Sequence, residues 1–201
     1  GTFNGDTFQD LAVTSLGTDT VSILLRTGTG SFIPAATFAT GSVPVTVAVG
    51  TFNGDTFQDL AVTSLGTDSV FIFLGKGDGT FATATNYPTG SAPTSVVVGD
   101  FNGDALRDLA VANQNSNNLS ILLENGDGTF DTAVNYAVGG APNFIAIGDL
   151  NGDTFQDLAV TNVFDDNVSI LLGNGDGTFD TAVNYAVGGD GPAPIVIENF
   201  N

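Results

Sequence analysis

The chain has 201 residues and sets 3 Lys+Arg against 22 Asp+Glu, for a formal charge of -19; a surface of that sign repels phosphate and so excludes nucleic acid and anionic membranes as partners. With no Cys there are no disulfides or thiolate metal sites, and with no His the commonest acid–base group is missing. The length allows one sizeable core, no run in these residues is long enough to span a membrane, and none of them is expected to be a signal peptide.

In chain order the first feature is GTFNGDTFQD at 1–10, which returns letter for letter at 50–59, then as GDFNGDALRD at 99–108 and GDLNGDTFQD at 148–157. Gly1, Gly50, Gly99 and Gly148 stand 49 apart, and a truncated ENFN closes the chain at 198–201. Units 1–49, 50–98, 99–147 and 148–197, with 198–201 as the start of a fifth, therefore make a single repeat domain. Self-similarity near this period signals units that cannot bury their apolar faces alone: a solenoid, propeller or array. A start inside a repeat motif is expected of a mature or excised piece of something longer.

Within the third unit, the β-branched run SVVVG (95–99) leads into DFNGDALRD, followed by LAVAN (109–113), a polar turn, and LSILL (119–123). ENGDGTF (124–130) closes a hairpin, and DTAVNYAV (131–138) alternates apolar and polar positions as a half-exposed outer strand does. No window shows a 3.6-residue period. Four short antiparallel strands per unit predict an all-β fold, a β-propeller of four-stranded antiparallel blades built from four tandem repeats of about 49 residues. A parallel β-helix lacks such repeated hairpin turns.

The loop is the densest chemistry. In the third copy, oxygen-bearing side chains fall at positions 1, 3, 5 and 9 (Asp100, Asn102, Asp104, Asp108), and Leu106 at position 7 offers its carbonyl. The matching sets are Thr2, Asn4, Asp6, Phe8 and Asp10; Thr51, Asn53, Asp55, Phe57 and Asp59; and Asp149, Asn151, Asp153, Phe155 and Asp157. Hard oxygens, several of them carboxylates, around a glycine-curled turn describe a Ca²⁺ site, up to four in all, with β-strands where an EF-hand has helices and no position-12 glutamate. An Asx turn that caps a strand end is the plain alternative, though such a turn needs fewer carboxylates. Thr2 and Thr51 remove a negative charge at position 1, so the last two sites are expected to bind more tightly.

GDGTF at 77–81, 126–130 and 175–179 carries one acid (Asp78, Asp127, Asp176), and its first-unit counterpart GTGSF carries none, so this motif is read as a structural turn. Phe32, Phe81, Phe130 and Phe179 are read as packing between blades, as are Phe38, Tyr87, Tyr136 and Tyr185. Asn118 and Asn167 open N-glycosylation sequons at a hairpin end, 49 residues apart, a spacing that duplication alone explains.

The order apolar strand, D-x-N-G-D-x-x-x-D, LAV, apolar strand, GNGDGTF resembles the FG-GAP repeats of integrin alpha-subunit propellers and of many secreted microbial proteins. The resemblance covers all four units. It implies Ca²⁺ held between the innermost and second strands of each blade and, for a full ring, seven blades. It also makes the ends informative: the first unit lacks its innermost strand, and APIVIENFN (193–201) is such a strand with nothing after it. Closure of a four-bladed ring, self-association through these unpaired terminal strands into a head-to-tail filament, and a window cut from a longer array are the readings this leaves open. The expected function is a secreted, non-enzymatic, calcium-binding module at the cell surface or beyond, structural or adhesive, with an extracellular protein or glycan as ligand. A lectin-like propeller is the alternative, weakened by the lack of Trp; an enzyme would need carboxylate pairs already committed to the loops.

Overall fold

The structure, a computed structural model, describes residues 1–189 and 191–198. Fifteen strands are present among them, in four antiparallel sheets. Among the described residues the first sheet has three strands, β1 (Leu11–Ser15), β2 (Thr20–Arg26) and β3 (Phe32–Ala39). The second holds β4 (Pro44–Gly50), β5 (Asp59–Ser64), β6 (Ser69–Phe73) and β7 (Thr85–Pro88), paired in that order. The third, β8 (Pro93–Gly99), β9 (Asp108–Asn113), β10 (Asn118–Leu122) and β11 (Val134–Ala137), repeats the pattern. So does the fourth, β12 (Pro142–Gly148), β13 (Asp157–Asn162), β14 (Asn167–Leu171) and β15 (Val183–Ala186).

The period of two along each strand decides how the sheets stack. Leu60 and Val62 of β5 face the first sheet in one apolar cluster, while Ala61 between them faces the third in another. In β9, Leu109 and Val111 face back to the second sheet while Ala110 and Ala112 face on to the fourth. Each cluster bridges one neighbouring pair of sheets. With both faces covered, β5, β9 and β13 are buried end to end, whereas the outer strands β7 and β11 are mostly exposed. This is the propeller-like, all-β arrangement read from the repeat.

Polar contacts hold the stack in register. Inner strands are joined by hydroxyls: Thr46 donates to the Thr94 carbonyl at 2.6 Å, and Thr94 to that of Pro142 at 3.2 Å. At the hairpin end opposite the loops, the side chains of Asp19, Asp68 and Asn117 accept the amides of Val43, Ala92 and Ala141, at 2.7 to 2.9 Å. All six residues sit at positive φ, a left-handed strain of about 1 kcal/mol each that a hydrogen bond to a charged or amide acceptor offsets.

One expected strand is not formed. Residues 193–198 carry no strand pairing, and 199–201 lie outside the described residues. Ile197 instead rests over Gly148, where a Cβ would stand 2.9 Å from its Cγ2. A strand needs a neighbour's amides and carbonyls, and none is offered there.

Candidate functional site

Each loop lies at the end of its sheet where the innermost strand turns into the second, as between β8 and β9. Glycine at position 4 curls it: Gly5, Gly54, Gly103 and Gly152 have φ of 76°, 71°, 76° and 85°. Two successive Asx turns follow. The Asn102 carbonyl oxygen accepts the Asp104 amide at 3.2 Å, Asp104 Oδ1 accepts the Leu106 amide at 2.8 Å, and Asn102 Nδ2 donates to Asp104 Oδ2 at 2.8 Å. The same three bonds recur at Asn4, Asp6 and Phe8, at Asn53, Asp55 and Phe57, and at Asn151, Asp153 and Phe155. Positions 3 and 5 thus sit together on one solvent-facing turn in all four copies.

Position 1 separates the loops into two pairs. Asp100 accepts the amides of Gly103 and Ala105 at 2.8 and 2.9 Å, and Asp149 accepts those of Gly152 and Thr154 at 2.6 and 2.9 Å. These bonds hold the Asp149 carboxyl below the usual carboxylate range. They also draw Ala105 and Thr154 into the left-handed region, with φ of 68° and 78°; Thr7 and Thr56, facing Thr2 and Thr51, do not adopt it. The extra carboxylate therefore reshapes its loop as well as charging it.

Position 9 has a role the sequence does not announce. Asp10, Asp59, Asp108 and Asp157 are buried, and each ties two distant amides together: Phe3 and Arg26, Phe52 and Gly75, Phe101 and Glu124, Leu150 and Gly173, at 2.6 to 2.9 Å. They lock the start of each loop to the second hairpin of its own sheet. Burial pushes the Asp108 carboxyl up to about 6 against the pull of its two amides, with the Asp104 and Asp100 charges adding to the rise. Asp59 moves in the same direction for the same first reason.

Among the described residues, no three Asp, Glu, His or Cys side chains form a metal-holding group by themselves. The donor set of the third and fourth loops is mixed: carboxylates at positions 1 and 5, an amide oxygen at 3, a carbonyl at 7, and the buried carboxylate behind them. All are hard oxygens. A carboxylate oxygen has two lone-pair sites, so the single amide each position-9 oxygen accepts does not exhaust it. In chemistry the set fits a hard cation.

Three features escape a reading by spacing. Position 7 also packs: Phe57 and Phe155 lie against Gly77 and Gly175, where a Cβ would stand 2.2 and 2.4 Å from the ring, and Phe8 lies beneath Arg26, 5.5 Å from guanidinium to ring centre. Position 8 links loops across sheets, with Gln58 Oε1 accepting the Thr2 amide and Gln156 Oε1 the Asp100 amide, at 2.6 and 2.9 Å. Gln156 lines a cleft of about 270 Å³ between the third and fourth loops, together with Asp100, Arg107 and Phe155. Finally, Glu124 is buried, its Oε1 accepting the Gly128 amide and its Oε2 unpartnered.

The second acidic turn behaves as expected of structure. Asp78, Asp127 and Asp176 each accept the hydroxyl and the amide of Thr80, Thr129 and Thr178, and the hydroxyl bond above all holds their carboxyls low. The sequon residues Asn118 and Asn167 are half-buried, each accepting from the amide nitrogen of a buried asparagine, Asn113 and Asn162, at 2.8 and 2.7 Å.

With this geometry in view, three comparisons bear on the chain. The family model described as FG-GAP-like repeat matches it three times in tandem, at residues 3–62, 51–111 and 100–160, each match running from one loop into the strand after the next. Among solved structures, an Agrocybe aegerita lectin described as recognising non-reducing terminal N-acetylglucosamine is 19% identical, with a TM-score of 0.57 over 83% of this chain and 46% of that one. BBS1N, solved in complex with ARL6DN, is 18% identical, with a TM-score of 0.59 over 93% of this chain and 58% of that one. The chain thus spans about half the length of these structures, and at such identity the likeness speaks for the fold alone. No curated protein matches by sequence.

Proposed function

The chain belongs to the FG-GAP-like repeat family, and from that premise we propose that it is a non-catalytic, calcium-binding, propeller-like module that serves outside the cell in a structural or adhesive role. The observation that carries this is the third and fourth loops. Each holds two carboxylates and an amide oxygen on a single exposed turn, already oriented by main-chain amides. Asp100, Asn102, Asp104, the Leu106 carbonyl and Asp108 would hold the ion in the third loop; Asp149, Asn151, Asp153, the Phe155 carbonyl and Asp157 would hold it in the fourth. Calcium bound there neutralises carboxylates that otherwise repel one another and fixes the turn between two strands. The first and second loops, with Thr2 and Thr51, are the weaker pair. Millimolar affinity is common for extracellular modules, where calcium is plentiful.

Catalysis finds no support in the side chains. The buried position-9 carboxylates each serve two amides, the buried Glu124 serves one, and the exposed carboxylates at positions 1 and 5 of the loops serve their turns. Two of the three tyrosines do not favour a sugar platform, since Tyr87 and Tyr136 meet Phe130 and Phe179 edge to face, while Tyr185 is exposed.

Calorimetric titration with Ca²⁺, repeated with Mg²⁺, tests the reading. Two tighter and two weaker calcium sites are expected, with a melting temperature that falls when a chelator is added. No heat of binding, together with a melting curve indifferent to chelator, would remove calcium from the account.

A further inference from the structure

Glu124 stands where the second and fourth units have Gly75 and Gly173. At either glycine a Cβ would press on the main-chain carbonyl of Gln58 or Gln156, so any side chain is costly to seat there. Glu124 is nonetheless 3% exposed, with Oε1 accepting the Gly128 amide at 2.9 Å and Oε2 without a hydrogen-bond partner. Buried charges are ordinarily paired or bound to a metal.

The side chain lies at the joint between the second and third sheets. At the joints on either side the main chain makes the link: Gly79 donates to the Phe3 carbonyl at 2.8 Å, and Gly177 to that of Phe101 at 2.9 Å. Their counterpart Gly128 donates to Glu124 instead, while resting on the second loop, where its Cβ would stand 3.2 Å from that of Asn53. A second link is replaced as well. Gln58 and Gln156 accept the Thr2 and Asp100 amides of the loop before, but the third unit has Arg107 at that position, and a guanidinium cannot accept. The second loop thus meets the next sheet through a carboxylate.

The charges follow the same pattern. Burial leads in raising the Asp108 carboxyl of the third loop, and the charges of Asp104 and Asp100, positions 5 and 1, add to it. Burial leads at Asp59 of the second loop too, where the added charges are those of Asp55, position 5, and Glu124. Glu124 takes the part that Thr51 leaves without charge.

We propose that the second loop holds its cation across the joint, with Glu124 Oε2 of the third unit joining Asn53, Asp55, the Phe57 carbonyl and Asp59 as a ligand. This rests on the calcium reading above and divides its weaker pair of loops. With three carboxylates, the second loop binds more tightly than the first, although both have threonine at position 1. The ion then fastens the second sheet to the third, where the main-chain link of the other joints is diverted.

Calorimetric titration with Ca²⁺ of the full chain carrying Asp6→Asn, Asp104→Asn and Asp153→Asn, which takes a ligand charge from each other loop, reads the second site. Adding Glu124→Gln is expected to weaken it about tenfold, because ligand charge tunes such loops. The matching chain with Asp55→Asn, Asp104→Asn and Asp153→Asn reads the first site, where Glu124→Gln is expected to change nothing. Glu124→Gly, alone in the wild-type chain, is expected to melt at a higher temperature in chelator, since Gly128 is then free to reach the Phe52 carbonyl. It is also expected to gain less from added calcium than wild type does. A second site unmoved by Glu124→Gln, an equal loss at the first site, or a Glu124→Gly chain that melts lower in chelator yet gains as much from calcium overturns the proposal alone. Wild type that binds calcium at no loop removes the underlying reading and the proposal with it.

Discussion

The main-chain amide of Phe101 donates to Asp108 Oδ2 at 2.8 Å, across seven residues and out of contact with solvent. With the Glu124 amide on its other oxygen, this carboxylate fastens the loop to the hairpin that follows. Asp108→Ala would leave two buried amides without acceptors, at about 1 to 3 kcal/mol each. The expected loss is therefore about 3 kcal/mol, measured by urea unfolding in chelator so that metal plays no part. Asp127→Ala, at an exposed turn, is expected to cost under about 0.5 kcal/mol in the same assay. Equal costs would show that position 9 is no more structural than a surface turn.

Charge at position 1 should set the order of the loops. Thr51→Asp is expected to raise the calcium affinity of the second loop by about tenfold, and Asp100→Thr to lower that of the third by a similar factor, as ligand charge does in oxygen-ligand loops. Calorimetry on the two variants reads both. Unchanged affinity in either would assign the ranking to something other than position 1.

Ala105 lies at φ 68° because Asp100 draws its amide inward. Ala105→Gly removes a left-handed Cβ penalty of about 1 kcal/mol, part of which is returned as entropy in the unfolded chain, so a net gain of about 0.5 kcal/mol is expected. Ala112→Gly, in the buried strand β9, is expected to lose stability by thermal melting. Destabilisation at both positions would mean that the Ala105 strain is not real.

Identical motif positions should respond differently to the same truncation. Phe130→Ala removes a ring buried between two sheets and is expected to cost about 3 to 5 kcal/mol. Phe32→Ala, at an exposed position, is expected to change stability by less than about 0.5 kcal/mol. Chemical denaturation makes the comparison. A large cost at Phe32 would mean that exposure does not set the difference.

Much of this architecture is legible in the letters. The 49-residue spacing fixes the repeat, and the runs around LAVAN and LSILL mark β9 and β10 to within a residue. The lone acid of GDGTF proves to be the turn it resembles. What stays hidden is whatever depends on a neighbour. Position 9 looks like another ligand because its partners are main-chain amides, which carry no signature. The equivalence of Phe32 with Phe81 says nothing of which ring is buried. The segment 193–198 has the composition of an inner strand, yet β-structure is a property of pairs, and it lies unpaired.

The three apolar clusters each span one adjacent pair of sheets, and each takes in one equivalent ring, Phe81, Phe130 or Phe179. Removing residues 50–98 would bring Val49 directly before Gly99 and offer Phe130 to the place that Phe81 occupies. Recombination between the identical stretches 1–10 and 50–59 could thus shorten or lengthen this protein by whole units while leaving each surviving joint with the partner chemistry it already knows.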